Sequence, residues 1–229
     1  MIMSRTLMQV RDMTIGHKDR VLFEGVSFDI CQGDCIMLCG ANGSGKTTLL
    51  KKLAASDRNI VMIPTGIPKI KGFTLKEFVR ISCFRHSDMG GRLSPEQEDT
   101  IDKALERLGL GALASRDISQ LSDGEFQKAA IASAFVHKAD IILLDEPTAF
   151  LDAENRISAL ETLRSLCDGE LSDMAQQGRA VIFSTHDLHE GLAAANKVLA
   201  LGADGRFHCS SSDRQEMELA VKRIFRTQR

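Results

Sequence analysis

The segment Gly40-Ala41-Asn42-Gly43-Ser44-Gly45-Lys46-Thr47 constrains this chain more than any other. It follows the apolar run Cys35 to Cys39, which has strand length, and precedes a helical pattern from Thr47 to Ala55. Strand, glycine turn, Lys-Thr and helix in that order fit a phosphate-binding loop. The glycines let backbone N–H groups turn inward toward phosphate oxygens, and the helix start adds its positive dipole end. Lys46 is expected at the β- and γ-phosphates, the Thr47 hydroxyl on Mg²⁺, and Thr48 at the α-phosphate. A dinucleotide fingerprint does not fit. Counted from Gly43-Ser44-Gly45, its last glycine would fall on Thr48.

A second feature answers the first. Ile141-Ile142-Leu143-Leu144 reads as a buried strand, and Asp145-Glu146 stands at its C-terminal end. Ligands of open parallel sheets bind at that end. Asp145 is expected to hold Mg²⁺, directly or through water, and Glu146 to polarise an attacking water.

The rest of the chain alternates strand and helix signals, which argues for an α/β fold with a mainly parallel sheet. Strands are expected over 21–30, 59–63, 140–144 and 180–184. Lys197 to Leu201 should pair with 206–209 through the turn signal Asp204-Gly205. Between these lies a stretch with three capping boxes, Thr74/Glu77, Ser94/Gln97 and Ser122/Glu125, with Pro95 at a first helical position. Helical spacing follows in Ile101, Ala104, Leu105 and Leu108, and again in Phe126, Ala129, Ala130 and Ala134. The stretch therefore reads as a helical lobe, 71–138, set into a body made of 1–70 and 139–229. Lys and Arg number 29 against 31 Asp and Glu, so nothing here suggests a dedicated nucleic-acid binder. No run approaches a membrane span and no secretory signal is visible.

With Leu121-Ser122-Asp123-Gly124-Glu125 between the two motifs and Ser184-Thr185-His186-Asp187 after them, the chain resembles the ATP-binding cassette ATPases of ABC transporters. The resemblance implies a P-loop NTPase fold of RecA-like type, with an N-terminal antiparallel β part and the inserted helical lobe. It implies that Gly40, Ala41, Asn42, Gly43, Ser44, Gly45, Lys46, Thr47 and Thr48 bind ATP, and that Thr47 and Asp145 bind Mg²⁺. Glu146 and His186 would be catalytic, with His186 reading the γ-phosphate. Ala149-Phe150-Leu151-Asp152 would be the D-loop, and Ser122 and Gly124 would complete the site of a second copy of the chain. A helix N-terminus suits that anion contact, and Ser122 can cap its helix as well. The signature variant Leu-Ser-Asp-Gly-Glu, Pro147-Thr148 and Gly91-Arg92-Leu93-Ser94-Pro95 are similar to the importers of iron–siderophores, haem and cobalamin. The resemblance then implies a separate permease, indirectly a solute-binding protein, and a cytoplasmic place on the inner face of the membrane. A soluble ATPase of the same fold in a non-transport task, and a low-turnover cassette, are the alternative readings.

Two of the chain's departures from the pattern bear on the nucleotide. Thr65 stands where the family usually has glutamine, and a threonine cannot reach both metal and water as an amide can. The chain has no Tyr, so His17 takes the usual aromatic place beside adenine, with less surface to stack. Two rival constellations are weaker. Cys31, Cys35 and Cys39 suggest an iron–sulfur spacing, but strand period two puts Cys35 and Cys39 on one face within the sheet, where they read as small buried hydrophobes. His186-Asp187-Leu188-His189-Glu190 has neither zincin order. The C-terminal helix, with Met217, Val221, Ile224 and Phe225 on one face, reads as docked rather than membrane-bound.

Overall fold

A computed structural model describes residues 5–17, 20–83, 92–137, 139–168 and 178–225. The side chains of His17 and Phe225 lie outside that description, as do Gly91, Arg226 and Arg229. The chain divides into two compact units, one of Met1–Met62, Ala139–Glu146 and Leu163–Arg229, the other of Ile63–Lys138 and Pro147–Thr162.

In the first unit, β1 (Thr6–His17) and β2 (Arg20–Cys31) form an antiparallel pair. The larger sheet contains β3 (Cys35–Gly40), β4 (Ile60–Ile63), β5 (Ile141–Leu144), β6 (Ala180–Ser184), β7 (Lys197–Leu201) and β8 (Phe207–Cys209). Their spatial order is β4-β5-β6-β3-β7-β8. The pairs β5–β6, β6–β3 and β3–β7 are parallel, and β7–β8 is the expected antiparallel hairpin. Every residue of β3, β5 and β6 is buried. Strands covered on both faces carry continuous apolar runs instead of alternation, which is how Cys35–Cys39 and Ile141–Leu144 read. Helix α1 (Lys46–Ser56) buries Leu49, Leu50 and Leu53, one stripe at helical spacing, in a core shared with Ile36, Leu38, Leu143, Ile182 and Leu199.

The cysteine reading holds. Cys35 and Cys39 are fully buried along β3, Cys31 ends a different strand, and all are free thiols. Burial pushes the Cys39 thiol up to about 12, so it stays protonated. Short helix α6 (Leu188–Ala194) follows β6, and α7 (Arg214–Phe225) packs on β7. Met217, Val221 and Ile224 are buried there, so α7 docks through the face its spacing foretold.

In the second unit, α2 (Leu75–Ile81), α3 (Pro95–Arg107) and α4 (Asp123–Val136) start where the capping boxes place them. Each box is closed in both directions. At α3, Ser94 N–H donates to Gln97 Oε1 at 2.8 Å, and Gln97 N–H donates to Ser94 Oγ at 3.3 Å. Leu75, Val79, Ile101, Leu105 and Ala129 fill the space between these helices, and the Phe78 and Phe126 rings lie 5.1 Å apart. Helix α5 (Ala153–Asp168) is capped by Asp152, whose Oδ1 accepts from Asn155 N–H at 2.8 Å. Ser94→Ala removes one of the caps without touching any proposed site residue. It should lower unfolding free energy by about 1 kcal/mol in urea titrations.

Candidate functional site

The loop after β3 is shaped by two glycines. A Cβ on Gly40 would lie 2.8 Å from the Leu201 carbonyl oxygen, and Gly45 has φ +101°, which an L side chain rarely adopts. Gly45 also caps α1, so the loop delivers its backbone directly into the helix N-terminus. A cleft of about 340 Å³ opens there, lined by Asn42 to Thr48, by Glu146, and by Arg20 and Leu22 of β2. Ser44 Oγ, buried at the base of this loop, has no hydrogen-bond partner among the described residues.

Lys46 is buried, and its Nζ donates to the Gly40 carbonyl at 2.9 Å and the Ala41 carbonyl at 3.4 Å. Burial lowers its pKa, while the charges of Glu146 and Asp145 partly oppose that shift. An ammonium held near two carboxylates at the N-terminus of a helix can neutralise a polyphosphate.

The acids stand two strands away from β3, with β6 between. Thr47 Oγ1 donates to Asp145 Oδ2 at 2.7 Å, so the two oxygens converge from α1 and the end of β5. Asp145 Oδ1 accepts from Ser184 Oγ at 2.7 Å, and Ser184 Oγ accepts from Glu146 N–H at 2.9 Å. Glu146 has φ +50°, a left-handed conformation that costs a non-glycine residue of order 1–2 kcal/mol. Its Oε1 lies 2.5 Å from His186 Nε2. The first unit thus gathers Lys46, Thr47, Asp145, Glu146 and His186 around one loop.

Ser122 and Gly124 belong to the second unit, at the start of α4. Ser122 Oγ accepts from Glu125 N–H at 3.2 Å, and Ser122 N–H donates to Glu125 Oε2 at 2.7 Å. These bonds hold the Glu125 carboxyl below the usual glutamate range. Lys69 braces the same turn, donating to the Leu121 carbonyl and to Asp123 Oδ1, both at 2.7 Å. Gly124 lies against the Phe150 backbone, since a Cβ there would meet the Phe150 carbonyl oxygen at 3.4 Å. Thr65 is half-buried in the loop after β4. His17 is the last residue of β1, paired with Arg20, and stacking on adenine by its side chain falls outside the described residues. Sequence reasoning gave no role to three residues here. Arg20 and Leu22 could have been suspected from their place just after His17. Ser184 shows no chemical signal until strand register sets it beside the acids.

Residues 23–149 match the ABC transporter family. The chain belongs to the ABC transporter family. It is 30% identical over 217 residues to an iron(3+)-hydroxamate import ATP-binding protein of Bacillus subtilis, covering 85% of this chain and 78% of that protein. Among solved structures, an inward-facing ABC transporter assigned to the metal-chelate type superposes with a TM-score of 0.80 at 26% identity, covering 95% of this chain and 88% of the other. An ATP-binding cassette solved as a dimer after hydrolysis, with ADP and Pi, shares the fold. Its TM-score is 0.72 at 22% identity, covering 87% and 97% of the two chains. This cassette is therefore an ABC ATPase, and it binds and hydrolyses ATP. Among its described residues, no helix is long and apolar enough to cross a membrane.

Lys46→Ala should weaken ATP binding itself. Loss of one charge-assisted contact corresponds to about 1.5–3 kcal/mol in calorimetric titrations. Unchanged affinity would remove Lys46 from the phosphate site.

Proposed function

We propose that this cassette hydrolyses ATP with Glu146 as general base and powers uptake of a metal chelate of the iron–siderophore, haem or cobalamin kind through a separate permease. The observation that carries the chemistry is the convergence of Thr47, Asp145, Glu146 and His186 at the mouth of the phosphate loop. The loop N–H groups and Lys46 take the β- and γ-phosphates, with Thr48 near the α-phosphate. Thr47 Oγ1 and Asp145 Oδ2 offer two adjacent oxygens, the donor type Mg²⁺ selects while it keeps waters and phosphate oxygens as its other ligands. Mg²⁺ bound there would offset charge developing on the phosphates. Glu146 accepts the proton of the attacking water. His186, hydrogen-bonded to Glu146 Oε1, orients the base and faces the γ-phosphate.

Ser122 and Gly124 of a second copy complete the site, so hydrolysis depends on a two-fold dimer. The dimeric cassette similar in fold supports that reading. The hydroxamate importer subunit and the metal-chelate transporter support the cargo class. The cassette would then work at the cytoplasmic face, held by its permease, with a solute-binding protein delivering cargo on the far side.

Glu146→Gln should keep ATP affinity and lose about 10²–10⁴-fold in turnover. With ATP and Mg²⁺ it should accumulate as a dimer by light scattering. Persistent monomer at high concentration would end the sandwich reading. In cells, the same substitution should abolish accumulation of one labelled chelate. Ferric hydroxamate, haem and cobalamin form the three arms, and loss of none would exclude this cargo class.

A further inference from the structure

We propose that Ser184 is a positioning residue of this ATPase, whose single hydroxyl sets the side chain of Asp145 and the backbone of Glu146 together. The inference rests on the roles proposed above for those two acids.

The argument begins with register. In the parallel β5–β6 ladder, Leu144 lies opposite Phe183, so one step on Asp145 comes level with Ser184. There the chain stops being a strand, because Glu146 turns left-handed at φ +50°. The Glu146 N–H donates to Ser184 Oγ at 2.9 Å. An amide N–H can only donate, so the hydroxyl must be the acceptor in that bond. Its one proton is then left for Asp145 Oδ1, 2.7 Å away. The direction of both bonds is thereby settled.

Two consequences follow. With Oδ1 held, the Asp145 carboxylate keeps Oδ2 toward Thr47 Oγ1, at 2.7 Å. With its N–H held, Glu146 keeps the left-handed backbone that carries its carboxylate to His186 Nε2 at 2.5 Å. Ser184 is fully buried, in a strand whose other residues are Ala180, Val181, Ile182 and Phe183. A packing role alone would be met there by alanine, with no hydroxyl to satisfy. The hydroxyl acts on the reaction through Asp145 and Glu146 rather than on the substrate.

Ser184→Ala separates the two accounts. The proposal expects the Mg²⁺ concentration for half-maximal turnover to rise by about 10–100-fold, the usual effect of losing the partner that orients a metal-binding carboxylate. ATP binding in EDTA should stay at the wild-type value. In nucleotide-free protein, the Glu146 amide should exchange with deuterium faster than in wild type. A folded Ser184→Ala with wild-type Mg²⁺ dependence and wild-type exchange overturns the proposal. So does a loss of EDTA-stage ATP binding as large as the loss of turnover, since that would mean a disturbed loop. If Ser184→Ala fails to fold, Ser184→Cys keeps a weak donor and acceptor at the same place. It should shift the Mg²⁺ dependence in the same direction by less, and wild-type behaviour overturns the idea. Near-wild-type turnover in Glu146→Gln would instead overturn the proposed roles of the acids. The exchange measurement, which needs neither metal nor nucleotide, would still decide whether Ser184 holds Glu146.

Discussion

The parallel ladder of β5, β6 and β3 is the constraint on which the site depends. These three strands are neighbours in space, although β3 lies a hundred residues before β5 in the chain. Because they run parallel, their C-terminal ends share one edge of the sheet, the edge where open α/β folds bind ligands. The phosphate loop leaves β3, the acids leave β5, and Ser184 to His186 leave β6 between them. A slip of one residue in this ladder would turn every side chain to the other face and separate Thr47 from Asp145.

Placing charge at that edge has an energetic consequence. Lys46, Asp145, Ser184 and Thr185 are all buried, and a buried polar group is costly unless it is paired. The structure answers with a chain of partners. Lys46 bonds loop carbonyls, Thr47 and Ser184 take the two oxygens of Asp145, and Thr185 Oγ1 accepts from Asp187 N–H. Groups satisfied in this way stand ready for a ligand and still lower the cost of their burial. The left-handed Glu146 shows strain stored at the same place, held by neighbours on both sides.

The helical unit follows a more local logic. Its capping boxes are closed within four residues of chain, so each helix start was readable before any tertiary contact was known. By contrast, β1 was legible only through the family resemblance. Its pairing with β2 shifts register between Thr6 and Met8 and again around Met13, which breaks the period-two pattern that marks a half-buried strand. Asp12, at φ +48°, sits inside that disturbance.

The sequence by itself determined the phosphate loop, the buried strands, the helix starts of the second unit and the docking face of α7. Each of these rests on spacing along the chain: glycines before Lys-Thr, apolar runs of strand length, or a hydroxyl with an acidic or amide side chain at the third helical position. Only the tertiary structure decided that Arg20 and Leu22 line the loop's cleft, that Lys69 braces the turn from Leu121 to Asp123, and that Ser184 joins the two acids. Those contacts join residues far apart in the chain, and a serine at a strand end looks the same whether it faces a carboxylate or nothing. Strand order and register convert such distant positions into neighbours, and neither is written in any local pattern.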